Sequence, residues 1–150
     1  MKTILFLVAL VSFTACANLK NAKNVSQTSA NQTIDPKPTK AVLGDNSQSS
    51  APTTIKAVSL TANILKIEIE YTGGCKTHQF NLVGSQMISK SLPPIRAINL
   101  IHASDNEECK QLINDTLYFD LKDLAYKQEA GSVIKLNLEG WKEQIIYTYQ

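Results

Sequence analysis

The stretch from Leu65 to Cys75 limits the fold of this 150-residue chain more than any other. Apolar side chains stand at every second position from Leu65 to Tyr71, and charged or polar residues lie between them. A period of two is the pattern of a β-strand that buries one face. Two glycines follow and end the strand directly before Cys75. The chain therefore has a strand at its centre whose register is fixed by its apolar face.

Short segments of similar character follow at close spacing, separated by turn residues. A single helical turn is predicted at 120–124, where two leucines lie three residues apart and Asp120 is placed to cap it. Seven or eight short strands with one helical turn predict an all-β fold, an antiparallel β-sandwich of immunoglobulin-like or small-barrel type. Strand character is predicted at residues 56–60, 65–72, 78–82, 95–102, 112–119 and 134–138, with a short segment at 86–88 and a closing segment at 141–149.

The first fifteen residues have the order of an export signal. A short basic start at Lys2 is followed by apolar residues 4–11 and then by small residues up to Ala15. The apolar run is too short to span a bilayer, which takes about 20 apolar residues. We therefore expect residues 1–15 to be a signal peptide that is removed.

The end of this signal, Phe13-Thr14-Ala15-Cys16, resembles the lipobox of bacterial lipoproteins, although the family prefers Leu at the place of Phe13. The resemblance implies that Cys16 becomes the acylated first residue of the mature protein, carrying chains such as palmitate. It also implies an exported protein held by its lipid at the cell envelope, at the outer membrane or on the periplasmic side. The alternative is an ordinary secretory signal cut nearby, with Cys16 left as a free or paired thiol.

The chain after the signal divides into two parts by composition. Residues 16–52 are mostly polar, with three prolines and scattered aliphatic residues, so they cannot bury enough apolar area to offset their ordering entropy. We interpret them as a lipidated cysteine with a disordered tether. Residues 53–150 are rich in β-branched, aliphatic and aromatic residues, which predicts a single domain of ordinary size.

Two cysteines remain once Cys16 is acylated. Cys75 and Cys109 would lie in an oxidising compartment, where such a pair usually forms a disulfide. A bridge that closes a loop of about 35 residues is worth roughly 3–4 kcal/mol in the chain-entropy model. We therefore predict a stabilising disulfide between them.

Both histidines lie near these cysteines in sequence, as Cys75-x-x-His78 and His102-x6-Cys109. A Cys2His2 set is the ligand chemistry of structural zinc, but the spacing is looser than that of zinc fingers. His78 and His102 also share their parity with core aliphatic residues. We predict structural histidines with no metal and no cofactor, and keep a metal-binding or thiol-active envelope protein that uses these four residues as the alternative.

A wider resemblance covers residues 71–124. These residues are similar to a set of small exported bacterial domains, often lipid-anchored, of unknown function. The resemblance implies that His78 and His102 belong to the signature of that fold, and it implies no reaction. It rests on Gly73-Gly74-Cys75-x-x-His78-x-Phe80, Pro93-Pro94, Leu100-Ile101-His102, Cys109 and Asp120-Leu121.

No catalytic pattern is present. A triad built on Cys75 requires a reduced thiol, and no serine lies in a nucleophile elbow. There is no glycine-rich phosphate loop. We therefore predict no enzymatic activity and no catalytic residues.

The net charge of the chain indicates which kinds of partner to expect. The chain has 15 basic and 13 acidic side chains, and loss of the signal removes only Lys2, so the mature chain is nearly neutral. Nucleic-acid binding is not expected, because it needs a strongly basic face. The sequence predicts a binding or structural β-domain whose partner is an envelope or extracellular protein, a glycan or a small molecule.

Overall fold

The computed structural model describes residues 37–104 and 108–150. The predicted signal peptide, Cys16 and the first part of the predicted tether lie outside the described residues. No helix in the part of the chain that is described is long and apolar enough to cross a membrane. The elements are β1 (Thr39–Lys40), β2 (Val42–Gly44), β3 (Thr53–Thr61), β4 (Ile64–Gly73), β5 (Gln79–Ser85), β6 (Ile95–Ala103), β7 (Gln111–Asp120), the 3-10 turn η1 (Lys122–Leu124), β8 (Val133–Leu138) and β9 (Ile145–Thr148).

The strands form two sheets, which confirms the all-β prediction. Sheet A has the order β1-β7-β4-β3, and sheet B has the order β2-β5-β6-β8-β9. The prediction of a purely antiparallel fold is wrong, because β1–β7, β2–β5 and β6–β8 are parallel pairs. The β6–β8 pair is parallel because the chain crosses to β7 in the other sheet before it returns.

The predicted central strand is β4, which lies between β3 and β7. The alternating side chains of Leu65, Ile67 and Ile69 are at most 1% exposed, and they face the core between the sheets. A two-residue turn joins β3 to β4, with Ala62 at a φ of 52°. The predicted helical turn is present as η1, and the Lys122 backbone N–H donates to Asp120 Oδ1 at 3.0 Å.

The predicted boundary at Thr53 is wrong, because folded structure begins before it. β1 pairs with β7 in sheet A, β2 pairs with β5 in sheet B, and Ala41 between them is fully buried. The tether interpretation therefore fails for residues 39–52. Strands of two and three residues are too short to show a period, and one buried alanine does not alter the polar composition of the segment.

Residues 45–52 form a strap across sheet B. The strap starts from β2, beyond β5, yet it forms its hydrogen bonds on the opposite side of β6. It must therefore cross the outer face of β5 and β6. Val83 and Ile101 alternate with core-facing residues and so point outward, and the crossing explains why they are only 5% and 6% exposed.

The strap ends beside the part of β6 that β8 does not pair with. β8 pairs with β6 only as far as Ile98, which leaves the rest of β6 without a strand on that side. There the Ala51 N–H donates to the His102 carbonyl at 3.0 Å, and the His102 N–H donates to Ser50 Oγ at 2.9 Å. The hydroxyl of Ser50 donates in turn to the carbonyl of Leu100 at 3.3 Å. These bonds satisfy backbone groups that β8 does not reach.

Candidate functional site

The two histidines meet at the end of the sandwich where β4 ends and β5 begins. His102 on β6 is 2% exposed, and His78 lies half-buried just before β5. His78 Nδ1 and His102 Nε2 are 2.6 Å apart and share a hydrogen bond, while His102 Nδ1 is 2.9 Å from Thr53 Oγ1. Both ring nitrogens of His102 are therefore within hydrogen-bond distance of another side chain.

Aromatic rings enclose this pair. The rings of Tyr71 and Phe80 have centroids 5.1 and 4.4 Å from the ring centroid of His102, and Phe80 stacks on it. Tyr71 also contacts His78, with a centroid distance of 4.7 Å. We call these four residues the histidine cluster. It packs at the end of the core, and β4, β5 and β6 each bring part of it into place.

Cys75 and Cys109 are joined in a disulfide, which is the pair that the sequence predicts. Their Cα atoms are 5.8 Å apart. The last pair of the β4–β7 ladder is Gly73 with Gln111, so two further steps of the same register would bring Cys75 opposite Cys109. The disulfide therefore closes the open end of this ladder, just beyond Gly74, whose φ is 117°.

The predicted alternative of a four-ligand metal site does not assemble here. Both sulfurs are held in the disulfide, so neither cysteine offers the thiolate that zinc binds. Among residues 37–104 and 108–150, no group of three or more His, Cys, Asp or Glu side chains is placed to hold a metal ion. His78 and His102 bond to each other instead.

A polar cavity of about 500 Å³ lies beside the histidine cluster. Of the described residues that line it, only His102 and Lys110 carry side chains that titrate, because Cys109 is oxidised. His102 uses its ring nitrogens on Thr53 and His78. The cavity therefore offers hydroxyl groups and one lysine rather than an acid–base pair. Its lining is Ser49, Ser50, Ala51, Pro52, Thr72, His102, Ala103, Ser104, Cys109 and Lys110.

A second feature, which the sequence analysis missed, lies on the connection between β5 and β6. Leu92 is 99% exposed and Met87 is 82% exposed, and Tyr126 borders the same area with 49% of its surface exposed. A cavity of about 300 Å³ is lined in part by Leu92 and Tyr126. We call the exposed apolar residues here, Met87, Leu92 and Tyr126, the β5–β6 loop surface. Ile88, which packs against the core, and the buried Pro94 also line the cavity.

The short segment at residues 86–88 is not a strand and belongs to the loop. The available signal was the pair Pro93-Pro94, which excludes a ladder and so leaves the neighbouring apolar residues without a strand to bury them. Apolar residues beside such a break are candidates for an exposed surface.

The buried side chain of Arg96 links the start of the β5–β6 loop to the end of η1. It is 5% exposed, its Nε donates to the Leu124 carbonyl at 3.1 Å, and its Nη1 donates to the Ser85 carbonyl. Ser85 precedes the loop, and Leu124 precedes Tyr126 by two residues. Burial lowers the pKa of Arg96 from its usual range. The buried guanidinium thus fixes the loop relative to η1.

Comparison with known proteins identifies the fold. No protein-family model and no curated protein matches this chain. A protein of unknown function from Bacteroides vulgatus, DUF1344, aligns with a TM-score of 0.52 and 18% identity, over 75% of this chain and 57% of its own. A NigD-like immunity protein from Bacteroides caccae aligns with a TM-score of 0.56 and 14% identity, over 75% and 64%. The chain thus spans about three fifths of the length of these two structures, and it shares their β-fold.

Proposed function

We propose that this protein is a lipid-anchored protein of the bacterial cell envelope whose β-domain acts by binding rather than by catalysis. The observation that carries this proposal is the disulfide between Cys75 and Cys109 in a chain whose first residues resemble a lipoprotein signal. Disulfides persist in compartments outside the cytosol. The disulfide and the predicted export signal therefore support the same location.

The geometry of the histidine cluster supports a non-catalytic role. A general base needs a nitrogen that is free to accept a proton from a substrate. His102 is almost fully buried, and its two ring nitrogens bond to Thr53 and His78. The cluster joins β4, β5 and β6, and the bond of His102 to Thr53 adds β3, so its contribution is to hold the end of the sandwich.

The structural neighbours agree with this proposal. One is of unknown function and the other bears the name of an immunity protein, and neither name denotes an enzyme. At 14–18% identity, they support the proposal only through the shared fold.

The anchor is tested by expressing the full precursor and a Cys16→Ser variant in a bacterial host. The wild-type protein should partition into the detergent phase, and the mass of its first peptide should include acyl chains on Cys16. The variant should enter the aqueous phase or remain uncleaved. Equal partition of both proteins into detergent would contradict the anchor.

The redox state is tested by counting free thiols in the non-reduced protein. With Cys16 acylated, the count should be zero, because the other two sulfurs are bonded to each other. Two free thiols would instead support the thiol-active or metal-binding alternative.

A further inference from the structure

We propose that the β5–β6 loop surface docks on the headgroup layer of the membrane that holds the anchor. This inference deepens the proposed function and rests on it, since a lipid surface is a constant neighbour only of an anchored domain. The occupant to which we commit is therefore a phospholipid bilayer. A protein partner at the same surface is an outcome that the test separates from it.

The first argument is the shape and exposure of the loop. Leu92 and Met87 present almost their whole side chains to solvent. Neither contributes to the core between the sheets. Leu92 and the half-exposed Tyr126 line one cavity, and exposed apolar groups that lie together mark surfaces that contact another molecule or a membrane.

The second argument is that the loop presents these side chains from a fixed backbone. The N–H of Ser89 donates to the Ile95 carbonyl at 2.9 Å, which makes a bridge at the base of the loop. Ser91 Oγ donates to the carbonyl of Pro93 at 2.8 Å, on the segment that carries Leu92. Beneath them Arg96 ties the loop to η1. The surface is therefore already formed before it meets a partner.

The third argument is the chemistry of the residues on and beside the β5–β6 loop surface. Lys90 lines the same cavity as Leu92 and Tyr126, and residues 86–94 contain no acidic residue. Lys127 follows Tyr126 directly in the chain. Aliphatic side chains beside a tyrosine and lysines are the combination that favours the boundary between headgroups and acyl chains. Each lysine adds attraction to anionic lipids.

The fourth argument is distance. Twenty residues lie between Cys16 and Lys37, and a fully extended chain spans at most about 3.3–3.6 Å per residue, or roughly 70 Å in all. An acylated Cys16 thus confines the domain near the bilayer, and tethering raises the effective concentration of lipid at this surface.

The experiment uses the mature chain, residues 16–150, with Cys16→Ser so that no acyl chain contributes to binding. Co-sedimentation is measured with vesicles of phosphatidylethanolamine and phosphatidylglycerol, and with vesicles of phosphatidylcholine alone. The test variant is Leu92→Asp. The matched control is Leu112→Asp, because Leu112 is also exposed, at 58%, but lies on β7 in the other sheet. Thermal melts check that both variants are folded.

We expect the parent chain to bind the anionic vesicles more strongly than the neutral ones. Leu92→Asp should lower the partition coefficient about tenfold, because one apolar side chain no longer leaves water. Leu112→Asp should leave it unchanged. Failure of the parent chain to bind, or an equal loss in both variants, would overturn the inference.

A protein occupant is separated by crosslinking in intact envelopes. If Leu92→Asp abolished a specific crosslink to one protein while vesicle binding stayed as in the parent chain, the surface would belong to that protein and the lipid assignment would be wrong. None of these results tests the lipid anchor, because the chain used with vesicles carries no acyl group. The anchor is tested separately, by the detergent partition of the precursor.

Discussion

The hydroxyl of Tyr147 donates to Asn63 Oδ1 at 2.7 Å, and this bond joins β9 of sheet B to the β3–β4 turn of sheet A. Asn63 also accepts from the Gln150 N–H at 3.0 Å and donates its Nδ2 to the Gln150 carbonyl at 2.6 Å. Tyr147 is fully buried and Asn63 is 9% exposed. One asparagine in a turn therefore fastens the C-terminal residue and the second sheet to the first.

The first prediction concerns pH. Burial raises the pKa of Tyr147 to about 12, with Asp120 and Tyr149 adding to the effect, whereas an unfolded tyrosine titrates at about 10. The native state thus keeps the proton over a range where the unfolded state loses it. The stability that this group contributes is complete below about pH 10 and falls as the pH rises towards about 12. Tyr147→Phe should weaken this alkaline loss, as measured by urea unfolding at several pH values.

At neutral pH the same variant should lose about 0.5–1.5 kcal/mol, the usual net value of one hydrogen bond. Tyr126→Phe is the control, because Tyr126 is half exposed. If Tyr147→Phe and the wild type lost stability equally between about pH 10 and 12, the phenol would not be the cause.

The second prediction concerns the disulfide. It closes the β4–β7 ladder across a sequence separation of 34 residues. Replacing Cys75 and Cys109 together by Ala should lower the free energy of unfolding by about 2–5 kcal/mol. Denaturant titration of the oxidised protein and the double variant measures the difference. Equal midpoints would show that the ladder holds without its covalent closure.

The third prediction concerns metal. Zinc or a chelator should leave the melting temperature of the oxidised protein unchanged, because both sulfurs are bonded to each other. Differential scanning fluorimetry with and without zinc measures this. Stabilisation by zinc that depended on His78 would instead support the metal-binding alternative.

The fold is predictable from the sequence where the pattern is long. The alternation from Leu65 to Tyr71 predicted β4 and its buried face, and the expectation of export predicted the pairing of Cys75 with Cys109. β1, β2 and the strap escaped prediction because their role depends on tertiary contacts. Ala41 is buried by the strands it joins, and Ser50 is needed only because β8 ends beside Ile98.

The candidate sites, like the fold, could be predicted only in part from the sequence. The shared parity of His102 with Leu100 indicated a core histidine, and the structure places it in the core. Its contact with His78 depends on how β5 and β6 pair, which parity alone does not give. The exposure of Leu92 depends on how the loop leaves the sheet, so no periodicity in the sequence reports it.

The fourth prediction concerns residues 37–52, which the sequence analysis assigns to a disordered tether. A chain that starts at Lys37 should melt within a few degrees of the mature protein. A chain that starts at Thr53 loses β1, β2, the buried Ala41 and the bonds of Ser50 and Ala51 to β6, so it should unfold at a much lower temperature or without cooperativity. Calorimetry of the two truncated chains measures this. Equal melting temperatures would show that residues 37–52 add no stability.

The last prediction isolates one bond of the strap. Ser50 Oγ accepts the backbone N–H of His102, a residue with 2% exposure, so Ser50→Ala leaves a donor without its partner. A buried unpaired donor costs about 1–3 kcal/mol, and denaturant unfolding should show a loss of this size. Ser50→Thr keeps the hydroxyl and should recover most of it.

Ser47 offers a matched control within the same strap, because its hydroxyl donates to Asp45 Oδ1 at the surface, at 2.6 Å. Ser47→Ala should change the free energy of unfolding by at most about 0.5 kcal/mol, as is usual for a surface site. If the two alanine variants behaved alike, the strap would not satisfy the His102 backbone. The part of β6 beyond Ile98, which β8 does not pair with, would then be stabilised by the histidine cluster and not by the strap.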